Sequence, residues 1–251
     1  MSLFDTFDNS KPMIEPSSFY KKNKIAETCI VTFSHKVMSY VLSTYPSKKE
    51  VCTGTANGPI QVYSLNHNGK KILFYMSPIG SNIAGTILDD VRYLTGAINF
   101  VFFGSCGSLN NDLTEGKVIV PTESYRDEGF SYHYVPVSDY IKIKMSGKLV
   151  TIFEKLDIPY VAGKSWTTDA LYKETIDNAR KRKAEGCISV EMESAGLEAI
   201  CSYRNISLYI FFFVSDMLNG ELWKNVNLGT AEEKKHQINA FNIALRLTDF
   251  I

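Results

Sequence analysis

Two acidic residues flank a methionine in Glu191-Met192-Glu193, where a β-prone run changes abruptly into a helix-prone one. In a strand, residues two apart project to the same face, and unpaired charge on a buried face is costly. These carboxylates would suit a ligand that donates hydrogen bonds, such as the hydroxyl groups of a sugar. The alternative interpretation is structural, because acids near the start of a helix complement its dipole.

Polar residues follow two other apolar runs. Gly104-Ser105-Cys106-Gly107-Ser108 follows residues 98–103, and Ser215-Asp216 follows residues 208–214. Glycines let backbone N–H groups approach an anion, and Ser105 adds a hydroxyl, so the first cluster is either a phosphate-binding turn or, as we favour here, a structural turn. A partly buried Asp216 could protonate a leaving group, or it could cap a helix.

A polar and aromatic stretch follows the strand-like residues 117–120. It contains Arg126-Asp127-Glu128-Gly129 and then Ser131-Tyr132-His133-Tyr134, and we interpret it as a loop. Arg126 beside two acids is more often part of a local ion pair than of an anion site. His133 is either an ordinary loop histidine, which we favour, or a contact to a sugar hydroxyl.

Composition excludes several classes of function. The 251 residues are 45% hydrophobic and 22% charged, and 27 basic residues balance 27 acidic ones, which argues against a nucleic-acid-binding face. No run approaches the roughly 18 to 20 apolar residues of a membrane span, and the polar N-terminal sequence predicts a cytoplasmic location. The five cysteines and four histidines show no metal-ligand spacing, so we expect reduced thiols and no metal.

Strand-like and helix-like runs alternate along the chain, which predicts an α/β fold with a parallel or mixed sheet. We expect one domain over residues 1–251, with residues 1–20 as an extended arm. In such sheets, ligands bind beyond the carboxyl ends of the strands, where the three polar clusters lie. The predicted strands are 26–33, 60–65, 71–76, 98–103, 117–121, 160–165, 188–190 and 208–214, and the predicted helices are 35–45, 82–94, 172–185, 194–204 and 231–249.

Taken together, these clusters resemble the nucleoside phosphorylase superfamily, which includes purine nucleoside phosphorylases, uridine phosphorylases and methylthioadenosine/adenosylhomocysteine nucleosidases. The resemblance runs from about residue 26 to the C-terminus. It is carried, in the family's order, by the sequences at 101–109, 126–134, 167–172, 190–197 and 214–216. It implies a three-layer α/β/α fold with a mixed, partly barrel-like sheet, no cofactor, and a homo-oligomer (a dimer or a trimer of dimers).

The resemblance also implies a role for each site residue. Asp216 would be catalytic, protonating or hydrogen-bonding N7 of a purine. Gly104 and Ser105 would contact phosphate or the attacking water. Glu191, Met192, Glu193 and His133 would bind ribose, and Cys106, Leu171, Val190 and Ser215 would lie around the base.

The segments that correspond to the family's phosphate-binding residues differ from the family pattern in this sequence. Ser34 and Met38 stand at the glycine and arginine positions of the family's first phosphate turn, and Phe102 stands where a second arginine is expected. Guanidinium groups are the strongest partners of phosphate, with Lys36 or Arg126 as possible substitutes here.

The first hypothesis is a purine nucleoside phosphorylase that uses inorganic phosphate as co-substrate and gives free base and ribose 1-phosphate. The alternatives are a purine nucleosidase that uses water at the same site, a uridine phosphorylase, and a non-catalytic nucleoside-binding relative.

Overall fold

The computed structural model describes residues 6–56, 58–219 and 222–251. The strands are β1 (Thr28–Thr32), β2 (Ser47–Thr53), β3 (Ile60–His67), β4 (Lys70–Met76), β5 (Asn99–Ser108), β6 (Val118–Asp127), β7 (Tyr140–Lys142), β8 (Tyr160–Thr168), β9 (Cys187–Glu191), β10 (Ser207–Asn219) and β11 (Leu222–Asn225). The helices are α1 (His35–Thr44), α2 (Ser81–Thr95), α3 (Asn111–Thr114), α4 (Ser146–Lys155), α5 (Ile176–Ala184), α6 (Ser194–Arg204) and α7 (Ala231–Leu247).

Five strands close into a barrel at the centre of the mixed sheet. β5 pairs with β10, β10 with β6, β6 with β8, β8 with β9, and β9 returns to the end of β5. Outside the barrel, β1, β4, β3 and β2 continue the sheet from β5, while β7 pairs with β6 and β11 with β10. The carboxyl ends of the parallel strands β5 and β10 therefore lie side by side, and the short antiparallel strand β9 lies against the last residues of β5.

Helices cover both faces of this sheet and bury two large apolar clusters. One cluster joins α2 and α6 to the sheet, through residues such as Leu88 and Leu197. The other joins α1, α4 and α7 to the opposite face, with Phe153 and Phe241 among its buried rings. The expected three-layer arrangement is thus present.

Several predicted elements are confirmed, because local signals determine them. The hairpin between β3 and β4 turns at Asn68 and Gly69, which have the positive φ values (52° and 80°) that this turn needs. The continuously apolar run from Leu208 lies in β10, buried between β5 and β6.

The predicted turn at Gly104–Ser108 is wrong. These residues continue β5 and pair with β10 on one side, and Gly107 and Ser108 also pair with β9. The glycines allow close packing instead, because a Cβ at Gly107 would lie 2.5 Å from Leu218 Cδ1 and one at Gly104 would lie 3.1 Å from the Phe33 ring. The backbone amides of this segment serve the sheet and do not form an anion-binding turn.

The predicted loop at Arg126 is also wrong at its start. Arg126 and Asp127 belong to the last part of β6, paired with Thr167 and Thr168 of β8. Buried Arg126 donates to Ser131 Oγ and to backbone carbonyl oxygens, and it stacks on the Tyr132 ring. Its guanidinium group therefore organises the following segment.

The N-terminal arm packs on the chain itself. Glu15 forms an ion pair with Arg204 at 3.1 Å, and the Tyr20 hydroxyl donates to Asp90 at 3.2 Å. Residues 1–5 of the predicted arm lie outside the described part of the chain. Within the described ranges, every helix is too short or too polar to cross a membrane.

Candidate active site

A cavity of about 670 Å³ opens where β5, β9 and β10 end. This volume is within the usual range of small-molecule sites, roughly 300 to 1,000 Å³. The cavity brings the three predicted polar clusters together. Its walls are formed by Phe33, Ile79, Ser105, Cys106, Gly107, Leu171, Tyr172, Glu174, Val190, Glu191, Met192, Glu193, Ser215, Asp216, Leu218, Trp223 and Leu228.

Glu191 organises the loop between β9 and α6. One carboxylate oxygen accepts from the Glu193 and Ser194 backbone N–H groups, at 2.8 and 2.7 Å. The other accepts from three hydroxyls, those of Ser194 at 2.6 Å, Thr167 and Ser165. These donors engage both oxygens, so Glu191 fixes the start of α6 while burial raises its pKa.

Glu193 presents the second carboxylate of this loop to the cavity. It is only 5% exposed, and one of its oxygens accepts from the Gly80 backbone N–H at 2.8 Å. Burial, and next the charge of Glu191, raises the pKa of Glu193 to about 8. The Ser81 hydroxyl donates to the Met192 carbonyl at 3.0 Å, so the start of α2 holds the same loop.

A register shift in β10 determines where Asp216 points. Val214 pairs with Cys106 and Asp216 with Gly107, which leaves Ser215 as the extra residue of a bulge. The Ser215 hydroxyl donates to Asp216 Oδ1 at 2.7 Å, and Trp223 Nε1 donates to Oδ2 at 2.8 Å. The carboxylate of Asp216 is therefore fixed in orientation at the cavity wall.

Glu174 adds a fourth carboxyl group. It is half-buried in the segment that precedes α5. Burial, and next the charge of Asp216, raises its pKa to about 7. Four acids thus share the cavity, and among the described residues no lysine, arginine or histidine side chain lines it.

Aromatic side chains occupy the end of the cavity nearest β1. The Phe33 ring lies over Gly104 and contacts Phe102, with ring centroids 6.0 Å apart. Phe102 is fully buried, and Met38 packs on the opposite apolar cluster. The two positions where the family pattern has arginines therefore face into the core, while the Ser105 side chain remains exposed to the cavity.

Most of the predicted site residues line this cavity, including Cys106, Val190 and Ser215 around Asp216. Leu171 is 52% exposed and lies at the mouth. Gly104 lies behind Phe33 and does not itself form part of the wall.

Three other predicted residues lie elsewhere. His133 is exposed on a short 3-10 turn, outside the cavity of its own chain. Neither of the expected substitutes for the phosphate arginines reaches the cavity, because Lys36 lies in α1 and Arg126 is committed to its own segment.

Sequence analysis missed Glu174 and Trp223. Glu174 lies in a run of acidic and basic residues that suggested only a polar helix. Trp223 reaches Asp216 because β11 folds back on β10. No local pattern predicts either contact.

Comparison with known proteins shows the family of this chain. The sequence model of the phosphorylase superfamily matches residues 27–250. The chain belongs to this superfamily. It is 24% identical over 234 residues to a DeoD-type purine nucleoside phosphorylase from a Thermoanaerobacter species, an alignment that covers 91% of this chain and 97% of the relative.

Two solved structures share the fold of this chain. The purine nucleoside phosphorylase of Toxoplasma gondii, in complex with immucillin-H, matches with a TM-score of 0.71 and 16% identity, over 89% of this chain and 91% of that one. A futalosine hydrolase mutant of Helicobacter pylori matches with a TM-score of 0.70 and 14% identity, over 90% and 100%. A phosphorylase and a hydrolase are thus similar to this chain to almost the same degree.

Proposed function

We propose that this chain cleaves the N-glycosidic bond of a purine ribonucleoside and that water is the nucleophile. The observation that carries the proposal is the lack of cationic side chains in the cavity lining. Glu174, Glu191, Glu193 and Asp216 line it together with apolar side chains, and no cationic side chain of the described residues joins them. This order of preference reverses the one expected from sequence, which put phosphorolysis first.

The sugar end of the proposed reaction rests on Glu193. Its carboxyl group is the acceptor that ribose hydroxyls would meet, with Met192 beside it on the cavity wall. As the C1′–N9 bond lengthens, positive charge develops on the ribose ring. Fixed carboxyl oxygens in a cavity withdrawn from water stabilise such charge more than they stabilise the neutral nucleoside.

The base end rests on Asp216 and its neighbours. A purine that leaves as an anion is a poor leaving group, so an acid near N7 accelerates departure. The wall there combines carboxyl groups with the aliphatic surface of Val190 and Leu218. Such a mixture of apolar walls and a few fixed polar groups is typical of sites that bind a flat heterocycle.

Phosphate binding is disfavoured in the remaining part of the cavity, near Phe33 and Ser105. A phosphate dianion would have to enter a cavity that holds four carboxyl groups and, among the described residues, no cationic side chain to pair with it. Phe33, which lines this end of the cavity, offers it no hydrogen-bond donor. Water needs no such partner, and the Ser105 hydroxyl is available to orient it.

Phosphorolysis is the second candidate, and the match to the DeoD-type purine nucleoside phosphorylase over 91% of this chain favours it. It requires cationic side chains from a second copy of the chain. The homo-oligomer expected from the family resemblance would supply them, and the two candidates therefore differ in a measurable requirement.

The test is release of free base from adenosine, inosine and uridine, measured by chromatography with and without inorganic phosphate. Hydrolysis predicts equal rates in both conditions and ribose as the second product. A rate that depends on phosphate, with ribose 1-phosphate as product, would overturn hydrolysis in favour of phosphorolysis. Preference for uridine would overturn the purine assignment.

Absence of base release in every condition would support the non-catalytic hypothesis. Binding of the same nucleosides, measured by calorimetry, then distinguishes a nucleoside-binding relative from a protein with another ligand. The Glu193→Gln variant is the matched control for both base release and nucleoside binding, because it removes the ionisable acceptor for ribose and preserves the shape of the side chain.

A further inference from the structure

Trp223 meets Asp216 across the antiparallel pair of strands β10 and β11. Trp223 pairs directly with Leu218, two residues beyond Asp216, and all three side chains line the cavity. Residues two apart in a strand share a face, so Trp223 and Asp216 are diagonal neighbours on the cavity side of the pair. This spacing is within reach of a long aromatic side chain. The indole Nε1–H accordingly donates to Asp216 Oδ2 at 2.8 Å.

The segment that follows β11 is tied to the bulge in β10. The Ser215 carbonyl oxygen accepts from the backbone N–H groups of Val226 and Asn227, at 3.2 and 3.0 Å. The Asn225 side chain accepts from the Leu228 N–H at 2.8 Å and donates to the Leu228 carbonyl oxygen at 3.1 Å. The strand that carries the indole is therefore anchored at the same bulge that orients the carboxyl group.

On its other side, Asp216 Oδ2 lies against β5. A Cβ at Gly107 would lie 3.4 Å from Oδ2, and the same Cβ would lie 2.9 Å from Val190 Cγ1 and 2.5 Å from Leu218 Cδ1. These apolar groups give the carboxyl group no hydrogen bond. The terminal torsion of an aspartate is broad, so the carboxyl group needs donors to hold one orientation. The indole N–H supplies one at Oδ2, and the Ser215 hydroxyl supplies one at Oδ1.

We propose that Trp223 is a positioning residue for the cleavage of purine nucleosides, because its indole N–H holds the Asp216 carboxyl group in the orientation that faces the purine. The inference rests on the proposed function, in which Asp216 acts on N7 of the leaving base. Trp223 itself exchanges no proton with the substrate. Its effect reaches the reaction through Asp216, so the effect should depend on the leaving group and should vanish when Asp216 is removed.

The deciding variant is Trp223→Phe, which keeps an aromatic ring and removes the N–H donor. With adenosine or inosine, its kcat should fall roughly 10-fold, the usual worth of one hydrogen bond, while KM stays close to the wild-type value. With 4-nitrophenyl β-ribofuranoside, whose leaving group departs without a proton, the variant should keep the wild-type rate. An equal loss on both substrates would indicate a structural role and overturn the proposal.

A double-mutant cycle with Asp216→Ala gives a second readout. If Trp223 acts through Asp216, then Trp223→Phe lowers kcat in the wild-type background and leaves kcat unchanged in the Asp216→Ala background. Losses that multiply in the double variant would show that Trp223 acts on the substrate by another route. That result would also overturn the proposal.

Lys224→Ala is the matched control. Lys224 is an exposed residue of the same strand, and the alternation of side chains places it on the opposite face from Trp223, outside the cavity lining. This variant should keep the wild-type kcat and KM on both substrates. A loss as large as that of Trp223→Phe would show that any change in β11 lowers activity, which contradicts a specific role for the indole N–H.

Failure of the proposed function and failure of this inference give different results. A wild-type protein that releases no base from any purine nucleoside refutes the proposed function itself. An active wild type, together with a Trp223→Phe variant of unchanged kcat, refutes only the role of Trp223. Urea unfolding of each variant establishes that lost activity does not reflect lost folding.

Discussion

Replacing Glu193 by glutamine should change how the stability of the protein depends on pH. In the unfolded chain this carboxyl group has its ordinary pKa of 4.5, whereas in the folded protein burial and the charge of Glu191 raise the pKa to about 8. Between these values the folded protein keeps a proton that the unfolded chain has lost. The free energy of unfolding of the wild type therefore decreases as the pH rises through this window, and the decrease is complete above about 8.

The size of this change in the free energy of unfolding follows from the size of the pKa shift of Glu193. Each pH unit in the window corresponds to about 1.4 kcal/mol, so a window of this width corresponds to a total on the order of 3 to 5 kcal/mol. Glutamine has almost the same shape, its oxygen can accept the Gly80 N–H bond, and it does not ionise. The variant should be more stable than the wild type at alkaline pH and similar to it near pH 4.5.

The measurement is urea unfolding of both proteins at a series of pH values across this window. Other raised carboxyl groups, such as Glu174 and Glu198, titrate in both proteins and cancel in the difference. Glu198→Gln is the matched control, because burial raises the pKa of Glu198 to about 7 and its effect should be complete about one pH unit earlier. A difference between wild type and Glu193→Gln that stays constant with pH would refute the reasoning.

Three further predictions concern single side chains around the cavity. Glu191→Ala leaves five donors without their acceptor and should lower the free energy of unfolding by about 3 to 5 kcal/mol in urea titrations; a loss below about 1 kcal/mol would contradict the assigned role. Trp223→Phe removes a donor from Asp216 and should abolish the fluorescence change on nucleoside binding, since the other tryptophan, Trp166, is buried; a retained signal would show that Trp223 does not face the ligand. Gly107→Ala should cost about 1 to 3 kcal/mol in thermal unfolding, because its Cβ would overlap Leu218; an unchanged midpoint would contradict this packing.

Sequence analysis succeeded where local signals determine structure. The Asn68-Gly69 hairpin needs positive φ at both residues, and the run from Leu208 is apolar on both faces, as a covered central strand requires. Strand β2 was missed because it lies on the edge of the sheet, with exposed lysines at positions 48 and 49 and no clean alternation. Helix α4 was also missed.

Part of the candidate site was predicted because its residues directly follow recognisable strands. Glu191, Met192, Glu193 and Asp216 follow apolar strands, so their convergence could be expected from the rule that ligands bind at the carboxyl ends of strands. Glycines in Gly104–Ser108 were mistaken for a turn because the side chains that require them come from distant segments. Glu174 and Trp223 come from segments outside the barrel, and only the folded chain shows that they meet Asp216.

The barrel makes completion of the cavity a late event in folding. β5, β6, β8 and β9 are all synthesised before β10, yet β10 pairs with both β5 and β6 and closes the ring. The same strand carries Asp216. A nascent chain that has not released residues 207–219 from the ribosome therefore has neither a closed barrel nor Asp216 in the cavity wall. Since such long-range pairing forms slowly, we expect turnover to return only with the last phase of refolding.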